Sequence, residues 1–207
     1  TTKARGLYID IARQKVAARA YDKFFNINER PETKLDMLQH RMAFPAVAYV
    51  KENGYLGIVS YGADEDSLFI TTKSNPEGDF AVWLREMLQR KYSEATLEKI
   101  KEHCKEHDVS FVFECVDMKN DPHIIEYDED KLFLLDIVYN DMNYRKYSFE
   151  EMCAVANEFG LVHKEKAYVL ESWQDYFDWY YTVTNEDYKY NKHHIEGFGT
   201  EDANGYM

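Results

Sequence analysis

The chain alternates between short apolar runs and longer stretches whose apolar residues recur at helical spacing. The short runs are rich in β-branched and aromatic residues and predict strands at residues 4–10, 16–21, 47–51, 55–61, 67–74, 109–117 and 131–138. Asn53-Gly54 separates the third run from the fourth, and this pair is the strongest short-range signal for a tight hairpin. The first two runs predict another hairpin across Arg13-Gln14. The run at 67–74 is expected to pair beside the two that flank Asn53-Gly54.

Helical spacing predicts helices at residues 33–42, 79–92 and 93–107, and a further helix that begins at Ser148 and stops at Gly160. Ser93 is a typical N-cap, and Ser148 forms a capping box with Glu151. Residues 171–190 are crowded with aromatic side chains, which suit either a packed helix or stacking on unpaired bases. Because these aromatics alternate with acidic rather than basic residues, a packed helix is favoured.

Composition is ordinary for a soluble globular protein of 207 residues, with 45% hydrophobic and 30% charged residues. This length predicts one domain, with or without a small appendage. No apolar run approaches the roughly 20 residues that cross a bilayer, and no signal peptide opens the chain, so no membrane partner is expected. Cys104, Cys115 and Cys153 show no zinc or redox spacing, which predicts buried thiols and a cytoplasmic location.

Charge is unevenly distributed along the chain, whose formal net charge is −13. Residues 1–51 carry ten Lys/Arg against five Asp/Glu, whereas the remaining residues carry 15 against 33. The cationic segment suits a triphosphate or RNA phosphates. The acidic remainder either holds a divalent metal or keeps the protein soluble.

Three polar features are candidates for chemistry. Lys51 ends the strand before Asn53-Gly54, where it is either a nucleophilic amine or a solvated strand-end lysine; an ordinary lysine, with a pKa of about 10.4, is protonated and inert. Glu114 places a carboxylate inside an apolar strand, which is costly without a function or a partner such as an arginine. His103 and His107 lie four residues apart, which suits metal ligation or, more simply, a charged helix surface.

Lys51-Glu52-Asn53-Gly54 resembles the Lys-x-Asp-Gly nucleophile motif of the covalent nucleotidyltransferases. Two segments precede this motif, Arg5-Gly6 and residues 23–26. Three segments follow it: residues 72–74, Phe113-Glu114 and Glu196-Gly197-Phe198. This order is typical of that superfamily. The chain is thereby similar to the phage-type ATP-dependent RNA ligases and the ligase domain of fungal tRNA ligases. This resemblance implies an α+β fold, with a largely antiparallel, ATP-grasp-like nucleotidyltransferase core and peripheral helices.

The resemblance also implies roles for individual residues. Lys51 is the catalytic residue that accepts AMP from ATP, with Mg²⁺ or Mn²⁺ as the metal cofactor. The residues implied in nucleotide binding are Arg5, Lys23, Phe25, Val50, Glu52, Gly54, Lys73, Glu114 and Gly197. Of these, the cations Arg5, Lys23 and Lys73 are expected to contact the phosphates, and Phe25 is expected to shape the pocket, whereas Phe24 is expected to be core. Glu196 and Glu114 are the implied metal ligands.

Three departures from the family pattern bear on these expectations. Asn53 replaces the usual acidic residue, and Gly199 stands where an aliphatic residue usually packs on adenine. The pair of lysines that ends the family pattern is absent before residue 207. Residues 1–207 are therefore expected to be a single adenylylation domain that is truncated at both ends.

The resulting expectation is an ATP-dependent RNA ligase that seals an RNA 5′-phosphate to a 3′-hydroxyl through a lysyl-AMP intermediate. RNA ends are the expected partners, and a nicked tRNA anticodon loop is one candidate. The alternatives are a non-catalytic nucleotide- or RNA-binding module, a DNA ligase and a capping guanylyltransferase. The sequence leaves the particular RNA and the oligomeric state open.

Overall fold

The computed structural model describes residues 5–121, 125 and 127–206. In chain order, the elements of these residues are β1 (Leu7–Asp10), β2 (Lys15–Arg19), a 3₁₀ turn (Pro31–Thr33), α1 (Leu35–Arg41), β3 (Ala46–Lys51), β4 (Tyr55–Gly62), β5 (Ser67–Thr72), α2 (Asp79–Lys91), α3 (Glu94–His107), β6 (Val109–Val116), β7 (Lys131–Tyr139), α4 (Phe149–Phe159), β8 (Lys166–Leu170), α5 (Trp173–Asn185), β9 (Lys189–Tyr190), β10 (His193–His194) and β11 (Gly197–Glu201). All strand pairs among them are antiparallel. The predicted α+β fold with largely antiparallel sheets is therefore confirmed.

Two compact units divide the described residues. The four-stranded unit comprises residues 5–23 and the described part of 54–163, and the three-stranded unit comprises residues 24–53 and 164–206. Each is named for its largest sheet. The expectation of a single domain over residues 1–207 stays a prediction.

The core of the four-stranded unit lies between its main sheet and three helices. Strands follow the order β5-β4-β6-β7, and β1 pairs with β2 in a separate hairpin, as predicted. Helices α2, α3 and α4 bury apolar side chains against the sheet, among them Leu84, Ile100 and Met152. In β6 every residue except Glu114 is buried, which explains its nearly continuous apolar sequence.

Helix boundaries in this unit follow the capping residues. Ser93 Oγ accepts a hydrogen bond from the Thr96 N–H at the start of α3. Ser148 and Glu151 form the predicted reciprocal capping box of α4, and Gly160 ends that helix in a left-handed conformation with φ 71°. These local predictions are confirmed because a cap requires only residues within one turn of the helix.

The sheet of the three-stranded unit has β3 at its centre. Its order is β11-β3-β8, so β3 is hydrogen bonded on both sides. Along β3, Ala46, Ala48 and Val50 are buried, while the alternate residues, which end with Lys51, are half-buried. This two-residue period places Lys51 on the face opposite Val50.

The predicted hairpin across Asn53-Gly54 is wrong. Strands β3 and β4 flank this pair, but they belong to different sheets and do not pair with each other. β5 pairs with β4 alone, so the expectation that it lies beside both strands is wrong too. An Asn-Gly pair favours a tight turn locally, but here both edges of β3 are taken by the distant strands β8 and β11.

Candidate active site

Lys51 lies at the end of the central strand of the three-stranded unit. Its Cα is paired with that of Gly197 on β11, and the preceding Val50 is 6% exposed and donates its N–H to the Glu165 carbonyl at 3.0 Å. The backbone before the amine is therefore fixed on both sides. Gly197 is buried opposite Lys51, and Glu52 is half-buried after the strand ends.

The Lys51 ammonium forms an ion pair with Oε1 of Glu196. The two side chains are 37% and 38% exposed, so solvent reaches both. The other oxygen of Glu196, Oε2, accepts a hydrogen bond of 3.2 Å from Nδ2 of Asn53. A single carboxylate thus contacts both the candidate nucleophile and the amide two residues after it.

This pair can act in proton transfer as well as in charge pairing. An ammonium nitrogen has no lone pair, so Lys51 must release a proton before it attacks an electrophile. The Glu196 carboxylate is in contact with that nitrogen, which satisfies the geometric requirement for a general base. The same carboxylate is the predicted metal ligand, and carboxylates together with phosphate oxygens are the ligands that Mg²⁺ usually takes in proteins.

Lys51 and Glu196 line a cleft of about 420 Å³ within the three-stranded unit. Its volume lies within the range typical of small-molecule sites, roughly 300 to 1,000 Å³. Aromatic side chains form much of the remaining wall: Phe24, Phe25, Trp179, Tyr180, Tyr188 and Phe198. The rings of Trp179 and Phe198 meet edge to face, with centroids 5.4 Å apart. Such a wall suits a flat aromatic ligand such as a nucleobase.

Phe24 and Phe25 lie side by side at the cleft, and the expected role of Phe25 in nucleotide binding stays a prediction. Both side chains are half-buried and line the cleft, so the expectation that Phe24 belongs to the core is wrong. For the aromatic segment at residues 171–190, a packed helix is confirmed at Tyr176, which is 1% exposed. Trp179, on the same helix α5, lines the cleft instead.

The four-stranded unit carries the predicted residues Arg5, Lys23, Gly54, Lys73 and Glu114. The segments that carry Arg5 and Lys73 lie together in this unit. The N–H of Gly6, the residue after Arg5, donates a hydrogen bond of 2.9 Å to the Lys73 carbonyl. Arg5 itself was expected on a strand, but β1 begins only at Leu7. Gly6 adopts a left-handed conformation with φ 61°, which ends the strand pattern before it reaches Arg5.

Glu114 contacts the backbone of the nucleophile motif within this unit. Its Oε1 accepts a hydrogen bond of 2.9 Å from the N–H of Gly54. The structure thus shows a backbone contact for the carboxylate that sequence reasoning assigned to a nucleotide, a metal or an arginine. The nucleotide and metal roles of Glu114 stay predictions.

One candidate residue was missed at the level of sequence. Lys164 is only 5% exposed, and its Nζ lies 4.2 Å from the centroid of the Tyr49 ring, two residues before Lys51 on β3. Nothing in the local sequence around Lys164 marks it as a buried cation.

The histidines of α3 make contacts that account for their positions without a metal. His103 Nε2 lies 3.1 Å from the hydroxyl of Tyr147, and its ring packs against that of His107 with centroids 4.4 Å apart. Burial lowers the pKa of His103, and neighbouring His107 lowers it further. Among the described residues, no group of three or more His, Cys, Asp or Glu side chains is placed to hold a metal ion. In the same part of the chain, no helix is long and apolar enough to span a membrane.

Two fungal tRNA ligases are among the known proteins to which this chain is similar. A tRNA ligase of Candida albicans is 25% identical over 229 residues, and tRNA ligase 1 of Schizosaccharomyces pombe is 26% identical over 213 residues. Each alignment covers 95% of this chain but 26% of the relative, so the chain spans about a quarter of the length of these proteins.

Solved structures with the same fold include two RNA ligases. An archaeal ATP-dependent RNA ligase (form 2) superposes with a TM-score of 0.60 at 15% identity, covering 97% of this chain and 48% of the other. Naegleria gruberi RNA ligase with PPi superposes with a TM-score of 0.59 at 12% identity, covering 90% and 55%. These similarities confirm the nucleotidyltransferase fold.

Family membership rests on a match over nearly the whole chain. The sequence profile of a family described as RNA ligase matches residues 3–205, a span that includes every segment on which the resemblance was based. The chain therefore belongs to the RNA ligase family.

Proposed function

We propose that this chain is the adenylate-accepting core of an ATP-dependent RNA ligase and that Lys51 is its nucleophile. The observation that carries the proposal is the position of the Lys51 amine, which lines an aromatic-walled cleft in contact with a carboxylate. Family membership supports the reaction class, and the tRNA ligases among the relatives support an RNA substrate.

In the first step, Lys51 loses a proton to Glu196 or solvent and attacks the α-phosphorus of ATP. A nitrogen–phosphorus bond forms, the bond from that phosphorus to the bridging oxygen breaks, and pyrophosphate leaves with the electron pair. Loss of a second proton from nitrogen gives lysyl-AMP. This covalent intermediate divides one difficult displacement into easier ones.

In the second step, an oxygen of the RNA 5′-phosphate attacks the AMP phosphorus, the nitrogen–phosphorus bond breaks, and the lysine recovers its protons. In the third step, the 3′-hydroxyl attacks the activated 5′-phosphate, loses its proton and releases AMP. RNA ends, among them a nicked tRNA anticodon loop, are the proposed substrates, and a cytoplasmic location is proposed with them.

The remaining site residues are proposed to bind the nucleotide. Phe25 and the aromatic wall are proposed to contact the base, and Arg5, Lys23 and Lys73 to offset charge on the departing pyrophosphate. Val50, Glu52, Gly54, Glu114 and Gly197 complete the proposed nucleotide-binding set. Glu196 of the three-stranded unit and Glu114 of the four-stranded unit are each proposed as a ligand of Mg²⁺ or Mn²⁺, which would supply positive charge to the phosphates when bound.

The test is incubation of the chain with ATP or GTP radiolabelled in the α-phosphate, with Mg²⁺ present. We expect covalent label from ATP on the wild-type chain, stable to alkali and released by acid as a nitrogen–phosphorus bond requires, and none on the Lys51→Arg variant, which retains the positive charge. Transfer of that label to 5′-phosphorylated RNA rather than DNA would support the RNA ligase. Labelling by GTP would favour a capping guanylyltransferase, and ATP binding without any label would favour a non-catalytic binding module.

A further inference from the structure

Asn53 contacts the carboxylate that contacts Lys51. Its Nδ2 donates to Oε2 of Glu196 at 3.2 Å, while Oε1 of the same carboxylate pairs with the Lys51 ammonium. All three residues belong to the three-stranded unit. The two contacts use different oxygens, so both can form at once.

The backbone alone does not determine where the Glu196 side chain points. Pairing of Gly197 with Lys51 places Glu196 one residue before the start of β11, and its side chain is 38% exposed. A glutamate at such a position has several rotamers available. The hydrogen bond from Asn53 favours the one in which Oε1 faces the amine.

The residue type at position 53 matters because this contact requires a side chain that donates a hydrogen bond. An ionised aspartate has nearly the same shape as asparagine but donates no hydrogen bond. It would also place a second negative charge beside Glu196, which repels it. The neutral side chain that departs from the usual motif is therefore the one that fits this arrangement.

We infer that Asn53 is a positioning residue that orients the Glu196 carboxylate toward Lys51 and so sets the rate of lysine adenylylation. The inference rests on the proposed function of Lys51. It concerns how Glu196 is held against the amine, and it assigns Asn53 no contact with ATP or metal.

The first test compares Asn53→Asp and Asn53→Ala with the wild-type chain in single-turnover labelling by ATP. Both variants lose the donor, so we expect both to be labelled about tenfold more slowly at saturating ATP, as for the loss of one hydrogen bond to a charged group at a partly exposed site. The ATP concentration that gives half-maximal rate should change less than twofold, because Asn53 acts on the amine and not on nucleotide binding. If position 53 acts instead through negative charge, Asn53→Asp will be labelled as fast as the wild type or faster, which overturns the inference.

The second test observes the contact without any reaction. In protein labelled with ¹⁵N at asparagine, the side-chain amide signal of Asn53 is identified by its absence in Asn53→Asp. Glu196→Ala should shift this signal, whereas Glu186→Ala, an exposed acidic residue elsewhere in the same unit, should not. An unchanged Asn53 signal in Glu196→Ala overturns the inference.

The outcomes separate the two proposals. If the wild-type chain accepts label and Asn53→Asp is labelled equally fast, the positioning role fails while the ligase function stands. If the wild-type chain binds ATP but accepts no label, both proposals fail.

Discussion

The backbone N–H of Gly54 donates a hydrogen bond of 2.9 Å to Oε1 of Glu114. Glu114 is the one residue of β6 that is not fully buried, and Gly54 lies one residue before β4, the strand that pairs with β6. A Cβ added at Gly54 would lie 2.3 Å from the carbonyl oxygen of Cys115. The glycine of the nucleophile motif is thus required by the close approach of two backbones.

Substitution of Gly54 by alanine should destabilise the protein. The Cβ would also lie 2.8 Å from the carbonyl carbon of Cys115, and backbone atoms inside a sheet cannot move aside easily. We expect the free energy of unfolding to fall by about 1–3 kcal/mol, the usual cost of overpacking. Urea denaturation measures it.

Gly199→Ala is the matched control for this substitution. No atom lies within 4 Å of a Cβ added at Gly199, so the change in unfolding free energy should stay within about 0.5 kcal/mol. Equal stability of Gly54→Ala and Gly199→Ala would contradict the steric account of Gly54.

Two substitutions of Glu114 separate its hydrogen bond from its charge. Glu114→Gln keeps an acceptor for the Gly54 N–H, whereas Glu114→Ala leaves that donor without its side-chain partner. We expect Glu114→Ala to lose about 1–2 kcal/mol of unfolding free energy and Glu114→Gln to lose clearly less. If both variants lose the same amount in urea titrations, the charge of Glu114 and not its acceptor oxygen stabilises the fold.

Features that depend on neighbouring residues could be read from the sequence. Ser93, Ser148 and Gly160 mark helix ends through contacts that span one turn, and the structure has them where the sequence predicts. The order of the motifs likewise indicates the family from the sequence alone. Lys51 is predicted as the nucleophile in this way, and its contact with Glu196 brings together the nucleophile motif and the last motif of the chain.

Features that depend on distant partners could not be read in the same way. The Asn53-Gly54 pair has the composition of a hairpin turn, yet β3 pairs with strands more than a hundred residues away in sequence. Lys164 is buried and its ammonium lies over the Tyr49 ring, yet no local pattern distinguishes it from a surface lysine. The hydrogen bond from Asn53 to Glu196 similarly joins residues 143 positions apart.

Acid should weaken the stabilising contribution of Asp66 in the four-stranded unit. Hydrogen bonds from Lys105 and from Tyr61, together with the charge of Lys101, lower the pKa of Asp66 from 3.8 to about 2. Because the folded-state pKa is the lower one, the contribution is complete above about pH 4 and is lost as the pH falls toward 2. Asp66→Asn should therefore be less stable than the wild type near neutral pH, and the difference should shrink in acid.

Urea midpoints at pH 6, 4 and 3 measure this difference. Glu65→Gln is the control, because it removes an adjacent exposed carboxylate that lies outside the Asp66 cluster, and it should show no comparable loss at pH 6. A difference between the wild type and Asp66→Asn that grows as the pH falls would contradict the assignment.

Tryptophan fluorescence should report nucleotide binding through Trp179. Its ring lines the cleft beside Lys51, whereas Trp83 lies on α2 in the other unit. A nucleobase bound against the aromatic wall would contact the indole and change its emission. We expect ATP to change the emission of the wild-type chain and of Trp83→Phe, and the change to be lost or strongly reduced in Trp179→Phe. Equilibrium dialysis with radiolabelled ATP measures binding independently of fluorescence. If Trp179→Phe binds ATP as the wild type does and still shows the full ATP-dependent change in emission, the base does not contact this wall.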